Sequence, residues 1–397
     1  HGVPITIKEN IDQKGYATPN GLEALKDLIA PGNAPVVDNL EKDGAIIIGR
    51  TNTPEFSMRG TTDNAIHGRT YNPWNDWASP GGSSGGASAA VMSGMGSLAH
   101  GNDIAGSLRI PSTATGACTV KPGLGRVPAY NPSQAQERGL VAQLMSVQGI
   151  IAREIKDVRL GMQSLINYDP RDPWMVEMPF QSNSITSPIT IGYTKETLGE
   201  ALHPAVEKAV DNAIEALEDA GYILTEIALP EFQDAANFSA KTLFGELKAL
   251  LEEDFKNVGS KDFNLVVDNY FKIISPFEGE DLLLGMAKRS YFFREWNLFF
   301  RKYPLVLTPF LLYPTYEWDR DTQGIEGTKE VLAGMFYAHT MNYMGIPAGI
   351  VSANYNDGLP VGIQIISSRF REDIILNACE EIEKRVGIMS EKLFERG

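Results

Sequence analysis

The sequence is poor in the residues that would support several large classes of protein. Two cysteines, Cys118 and Cys379, occur in 397 residues and lie far apart, so we expect neither a disulfide framework nor a cysteine-based metal site. No run of ~18 apolar residues occurs, so we expect no membrane-spanning helix. Because the thiols are unpaired and His1 opens no signal-like segment, we expect a cytoplasmic protein.

Positive charge is also scarce. The chain has 35 Lys and Arg against 50 Asp and Glu, a formal net charge of −15. Proteins that bind the phosphate backbone of nucleic acids normally carry an excess of basic residues, so we expect no nucleic-acid partner. None of the five histidines lies in a motif-like neighbourhood; they are His1, His67, His100, His203 and His339. We therefore expect neither a metal nor another cofactor.

Helix-like and strand-like segments alternate along most of the chain. The strand-like stretches are Val3–Ile7, Ala45–Gly49, Pro188–Tyr193, Tyr222–Ile227, Ile346–Val351 and Val361–Ile366. The helix-like stretches are Ser83–Leu98, His203–Ala220, Phe232–Val258, Asp281–Tyr303 and Asp373–Val386. This alternation predicts an α/β fold, an α/β/α sandwich around a large mixed β-sheet. No linker composition interrupts it, so we expect one domain over residues 1–397.

Two glycine-rich stretches, Pro80–Gly86 and Asp103–Pro111, carry the serines Ser83 and Ser107. Glycines let the backbone approach a ligand closely and leave N–H groups exposed to it. A serine in such a loop has the surroundings that acyl transfer needs, a nucleophile beside backbone donors. A hydroxyl also needs a base. Lys8 ends an apolar strand, where burial would lower its pKa towards useful basicity.

Other interpretations of the two stretches remain open from the residues alone. A phosphate-binding loop would end in Gly-Lys-Ser/Thr, which follows neither stretch. Gly81–Gly85 satisfies G-x-S-x-G, but that elbow follows a strand, and Trp77–Pro80 is typical of a turn. No S-x-x-K occurs. Plain loops are the remaining alternative.

The motifs around these residues resemble the amidase signature family. Asn72 through Pro122 contains Asn-Pro-Trp-Asn, Pro-Gly-Gly-Ser-Ser-Gly-Gly, Asp-Ile-x-Gly-Ser-x-Arg-x-Pro and Lys-Pro-Gly, in that family's order. Ser83 and Ser107 lie 24 positions apart, as in its signature. Gly2–Asn10 is similar to its lysine motif, and Gly358–Gln364 to its C-terminal motif.

The resemblance implies a catalytic triad. Lys8 would be the base and acid, Ser83 the proton relay after a cis peptide bond from Gly82, and Ser107 the nucleophile. The oxyanion would be bound by the backbone N–H groups of Ile104, Ala105, Gly106 and Ser107. Ala105 stands where many relatives have glycine.

Three neighbours of the triad would support it. We expect Asp103 and Arg109 to hold the Ser107 loop as an ion pair, in preference to touching substrate. We expect Ser84 to be a hydrogen-bonding residue of its loop. The chain opens on a strand, so we expect the domain to lack an N-terminal helical segment.

The implied reaction is hydrolysis of the C–N bond of a small-molecule amide, or of a related carbamate or ester. The resemblance is weak over the aromatic-rich residues 229–318, which we expect to shape the substrate pocket. Aromatic side chains without a cationic cluster favour neutral apolar or aryl substrates. The alternatives are the glutaminase (A) subunit of a tRNA-dependent amidotransferase and a catalytically inactive binding protein. A homodimer is an open alternative to a monomer.

Overall fold

A computed structural model describes residues 1–181 and 188–396. Within these ranges ten strands form one sheet: β1 (Pro4–Lys8), β2 (Ile46–Thr51), β3 (Leu98–Asp103), β4 (Cys118–Lys121), β5 (Val147–Ala152), β6 (Thr190–Tyr193), β7 (Ile223–Glu226), β8 (Leu305–Pro309), β9 (Ala348–Asn356) and β10 (Leu359–Ser367). The strand order is β2-β1-β3-β5-β4-β9-β10-β8-β6-β7. The β2-β1-β3 and β8-β6-β7 groups are parallel and the remaining neighbours antiparallel, so the sheet is mixed, as predicted.

Helices occupy most of the connections between strands. Over the same ranges they are α1 (Pro35–Lys42), α2 (Gly85–Met92), α3 (Arg109–Thr115), α4 (Leu140–Met145), α5 (Ile155–Leu165), α6 (Pro204–Asp219), α7 (Phe232–Val258), α8 (Lys261–Ile274), α9 (Gly279–Phe300), α10 (Gly324–Ala333), α11 (Phe336–Met344), α12 (Glu372–Val386) and α13 (Met389–Phe394). Short 3₁₀ turns lie at Glu23–Leu25, Glu55–Ser57 and Arg320–Thr322.

Side chains from the central strands pack on both faces of the sheet. In β8, Leu305 and Leu307 join a core cluster with α5, α6 and α12, whereas Val306 joins a second cluster with α7, α9 and α11. Successive side chains of a strand point to opposite faces, so each face needs its own helical layer. The predicted α/β/α sandwich is confirmed.

Most predicted elements are present, with adjusted ends. The helix expected over His203–Ala220 is α6, and the His203 side chain caps it by accepting a hydrogen bond from the Ala205 N–H. The strand expected over Pro188–Tyr193 begins only at Thr190. The helix at Asp373–Val386 is present as α12, but the short helix α13 follows it.

The predicted helix over Ser83–Leu98 is wrong at both ends. It runs only as α2, because Ser83 and Ser84 precede it, and Leu98 already belongs to β3. Gly94 and Gly96 have φ values of +80° and +120°, a backbone conformation that ends the helix and turns the chain into the sheet. The two serines consequently sit in front of the helix, where they face the ends of β1 and β3.

The ends of three strands define one edge of the sheet. Parallel strands β1 and β3 end there at Lys8 and Asp103, and antiparallel β5 begins opposite Asp103 at Val147. The carboxyl ends of strands are the usual location of sites in open α/β sheets. Among the described residues, no helix is both long enough and apolar enough to cross a membrane.

Candidate active site

Lys8 lies at the centre of a hydrogen-bonded cluster at this sheet edge. Its side chain is fully buried. Its Nζ donates to Ser83 Oγ at 2.7 Å, to Asn102 Oδ1 at 2.8 Å and to Ser84 Oγ at 3.1 Å. All three acceptors are uncharged, so within the residues that the structure describes the amine has no directly bonded carboxylate.

This environment changes the basicity of Lys8. Burial lowers the pKa of Lys8 from 10.5 to about 7, against the nearby charges of Asp103 and Glu9, which raise it. Removal from water disfavours the charged form of an amine. At neutral pH a large fraction of Lys8 is therefore unprotonated and can accept a proton, as its predicted role requires.

The loop that carries Ser83 is fixed by close backbone packing. Gly81 has a φ of +77°, and a Cβ on Gly82 would collide with the carbonyl oxygen of Arg59. Thr62 Oγ1 donates to the Gly81 carbonyl at 2.9 Å. The Gly82–Ser83 peptide bond is cis, as the resemblance implied. Ser83 is 1% exposed.

Ser107 lies in the turn between β3 and α3, as predicted. It is 8% exposed, and its carbonyl accepts a hydrogen bond from the Ser84 N–H at 3.2 Å, so the two serine loops are joined directly. Ser84 forms hydrogen bonds, as predicted: its Oγ accepts from Lys8 and donates to the Asn102 carbonyl at 3.3 Å.

Not all predicted oxyanion donors are available. The Gly106 N–H donates to Asp103 Oδ1 at 2.7 Å and is therefore occupied. In the described parts of the chain, the N–H groups of Ile104, Ala105 and Ser107 have no protein partner. Gly106 instead shapes the turn: its φ is +109°, and a Cβ there would lie 2.7 Å from Ile110 Cδ1.

Asp103 and Arg109 form the ion pair expected from the sequence. Arg109 Nε lies 3.0 Å from Asp103 Oδ2, and both side chains are fully buried. Arg109 also donates to Gln364 Oε1 at 2.8 Å and to the Ala338 carbonyl at 2.9 Å. Burial alone would raise the pKa of Asp103, but Arg109 holds it below its ordinary value. The pair holds the Ser107 turn against β10 and α11.

Two buried histidines are much weaker bases than Lys8. Burial lowers the pKa of His100 and of His339 to about 3. His100 Nε2 lies 3.0 Å from Gln148 Oε1, and His339 Nδ1 lies 2.6 Å from Ser239 Oγ. Both are neutral structural residues at physiological pH.

Comparison with known proteins agrees with this geometry. The sequence model of the family described as Amidase matches residues 1–376. The chain belongs to the amidase family. The predictions of an amidase signature protein and of an amide hydrolase are thereby confirmed.

This amidase is similar to several known proteins in sequence or in structure. Indoleacetamide hydrolase of Bradyrhizobium diazoefficiens is 42% identical over 396 residues, covering 100% of this chain and 76% of that protein. A glutamyl-tRNA(Gln) amidotransferase subunit of Methanosarcina acetivorans is 30% identical, covering 96% and 84%. The crystal structure of a bacterial aryl acylamidase of the amidase signature family has a TM-score of 0.82 at 26% identity, covering 98% and 84%.

Sequence analysis of the amidase missed Asn102. Its Oδ1 accepts from Lys8, and its Nδ2 donates to Asn10 Oδ1 at 2.9 Å, so the two amides orient the amine together. Asn10 in turn donates to Ser57 Oγ at 2.9 Å. A polar residue near the end of a buried strand, directly before the serine turn, was the available signal.

The buried ion pair of the amidase gives a stability prediction. We expect Arg109→Gln to lower the free energy of unfolding by ~3–5 kcal/mol, because it leaves the Asp103 charge buried without its partner. The exposed pair Lys329–Glu326, at 2.8 Å, provides a control, and Lys329→Gln should leave the unfolding midpoint in urea unchanged. Equal midpoints for the two variants would contradict this role of Arg109.

Proposed function

We propose that this amidase cleaves its substrate through an acyl-enzyme on Ser107, with Ser83 as relay and Lys8 as base. The 2.7 Å contact between Lys8 Nζ and Ser83 Oγ is the observation that carries the proposal. Neutral Lys8 takes a proton through Ser83 as Ser107 Oγ attacks the amide carbonyl. The proton then returns by the same route to the leaving nitrogen, and the C–N bond breaks. Water repeats the cycle on the acyl group.

We further propose that the N–H groups of Ile104, Ala105 and Ser107 stabilise the oxyanion of the tetrahedral intermediate. They lie beside the nucleophile in one turn and have no other protein partner in the described ranges. Donors already held in place before the reaction need no reorganisation as charge develops. Gly106, whose N–H is bound to Asp103, has a conformational role in this proposal.

For the substrate we propose indoleacetamide or a closely similar neutral aryl amide, with related carbamates and esters as further candidates. Two relatives, 42% and 40% identical, are indoleacetamide hydrolases. Ile104 and Ala105 pack against an apolar cluster built by α7, α9 and α11, which includes Phe232 and Phe336. An apolar surface beside the turn suits an aromatic acyl group. Residues 229–318, which include α7 and α9, are the proposed substrate-shaping region.

The two alternatives from the sequence have less support. The relative from the amidotransferase is 30% identical, more distant than the indoleacetamide hydrolases. An inactive binding protein would not need Lys8, Ser83 and Ser84 in one buried hydrogen-bonded cluster. We retain a cytoplasmic location as a proposal, supported by the free buried thiols of Cys118 and Cys379. The homodimer and the single domain over 1–397 stay predictions.

The nucleophile is tested by two serine variants. Ser107→Ala should lower kcat by about four to six orders of magnitude, as nucleophile removal does in serine hydrolases. Ser84→Ala should keep far more activity, because it loses only one of three Lys8 contacts. Labelling with a sulfonyl fluoride, followed by mass mapping, should modify Ser107. Label on Ser84, with turnover retained in Ser107→Ala, would assign the nucleophile elsewhere.

The base is tested by pH and by leaving group. Because only unprotonated Lys8 accepts a proton and burial lowers its pKa to about 7, kcat/KM should rise with pH and level off above that pH. Lys8→Ala should reduce amide hydrolysis about 10²–10⁴-fold and ester hydrolysis less, since an alkoxide leaves more easily than an amide nitrogen. Equal losses on a matched amide and ester would refute its role as acid.

The substrate class is tested by a panel of amides. We expect kcat/KM for indoleacetamide to exceed that for acetamide by at least ~10-fold, because a buried ring contributes roughly 1–3 kcal/mol or more. Glutamine and malonamide should be poorer still. The assays use the wild-type chain, and Ser107→Ala measures the background rate of hydrolysis. A preference for glutamine would instead support the amidotransferase alternative.

A further inference from the structure

A carboxylate–imidazole pair lies next to the base in the chain. Glu9 follows Lys8 in the chain, and its side chain is almost completely buried. Its Oε2 lies 2.7 Å from Nε2 of His67, whose side chain is 48% exposed. The other carboxylate oxygen, Oε1, accepts the Gly21 N–H at 3.2 Å. A buried carboxylate beside the catalytic amine is thus connected to solvent through one imidazole.

The loop that carries His67 is held in place by its own hydrogen bonds. Asn64 Oδ1 accepts from the N–H groups of Ile66 at 2.9 Å and of His67 at 2.8 Å. Asn64 Nδ2 donates to the Thr53 carbonyl at 2.7 Å, which anchors the loop to the chain after β2. The backbone of His67 is therefore held in place. Little side-chain freedom has to be lost when the imidazole contacts Glu9.

The charges of the pair act on each other and on Lys8. Burial raises the pKa of Glu9, and the charge and hydrogen bond of His67 oppose that rise. The negative charge of Glu9 in turn raises the pKa of Lys8, against the larger effect of burial. Loss of the His67 ring leaves the Glu9 carboxylate buried without its side-chain partner, which favours uptake of a proton.

We propose that His67 is a positioning residue for catalysis, which keeps Glu9 ionised beside Lys8 and so sets the pH range over which the enzyme is active. The inference rests on the proposed role of Lys8 and adds a controlling element outside the triad. The direction of the expected pH shift follows from the charges. A neutral Glu9 no longer favours the protonated amine, so Lys8 becomes unprotonated, and the enzyme active, at lower pH.

The other charged groups around the pair do not replace His67. Arg50 of β2 directs Nη2 to the main-chain carbonyls of Glu9 and Ile11, both at 2.9 Å, and acts on the Glu9 carboxylate only through space. Asp12 and Tyr16 act on Arg50. On the other side of Lys8, Asp103 is held ionised by Arg109. None of these groups is removed when His67 is changed.

The test is the pH dependence of kcat/KM for a neutral amide in the full chain. His67→Gln keeps a side-chain donor but removes the charge, and should move the acidic limb to lower pH by roughly half a unit. Glu9→Gln should move it in the same direction, and the double variant no further than Glu9→Gln alone. His67→Lys, which restores a cation, should return the limb to its wild-type position. His203→Asn, a change at the distant cap of α6, is the matched control and should leave it unmoved.

Each outcome tests either the role of His67 or the role of Lys8. A limb that His67→Gln leaves in place or moves to higher pH overturns the inference, as does an additive shift in the double variant. If Glu9→Gln fails to fold, the shifted limb of His67→Gln and the wild-type limb of His67→Lys still decide. Full amide hydrolysis by Lys8→Ala would instead refute the proposed mechanism. If Lys8→Ala abolishes the acidic limb of the pH profile but His67→Gln does not move it, only the inference about His67 is refuted.

Discussion

The carboxylate of Asp103 organises the site. It accepts hydrogen bonds from the Gly106 N–H, the Leu108 N–H and the Arg109 guanidinium, and so closes the turn on which Ser107 sits. A buried carboxylate is costly unless its lone pairs are satisfied, and here the turn after β3 and the start of α3 supply the donors. Arg109 passes the constraint on to Gln364 in β10. The position of Ser107, the proposed nucleophile, is thus fixed by the core of the sheet.

Lys8 is governed by the opposite requirement. Asp103 is stabilised as an ion, whereas Lys8 is surrounded by hydroxyl and amide oxygens that can accept from either form of the amine without favouring its charge strongly. A carboxylate bonded to Nζ would keep it protonated and remove its capacity as a base. The two carboxylates whose charge acts on Lys8 are instead bound by other side chains, Asp103 by Arg109 and Glu9 by His67. The site therefore places Asp103, which is held ionised, close to Lys8, which can gain or lose a proton.

The sequence revealed what is encoded locally. The glycine-rich turns, the strand before Lys8 and the helical periodicity of α6 and α7 are each written within a few neighbouring residues. Contacts between distant segments were not predictable. Asn102 meets Lys8 across 94 positions, through the pairing of β1 with β3, and that register is a property of the whole sheet. The same holds for the place of β4 between β5 and β9, and for His67 beside Glu9.

The helices α7 to α9 leave the sheet after β7 and return to it at β8 as one continuous excursion. Every residue proposed for proton transfer or oxyanion binding lies before residue 110, outside that excursion. The excursion packs against Ile104 and Ala105, in the turn before Ser107, through apolar contacts. The proposed catalytic residues and the proposed substrate-shaping region therefore lie on separate lengths of polypeptide. Divergence can remodel the binding surface for a new acyl group while the proton path keeps its geometry, and one scaffold can so give rise to enzymes for unrelated amides.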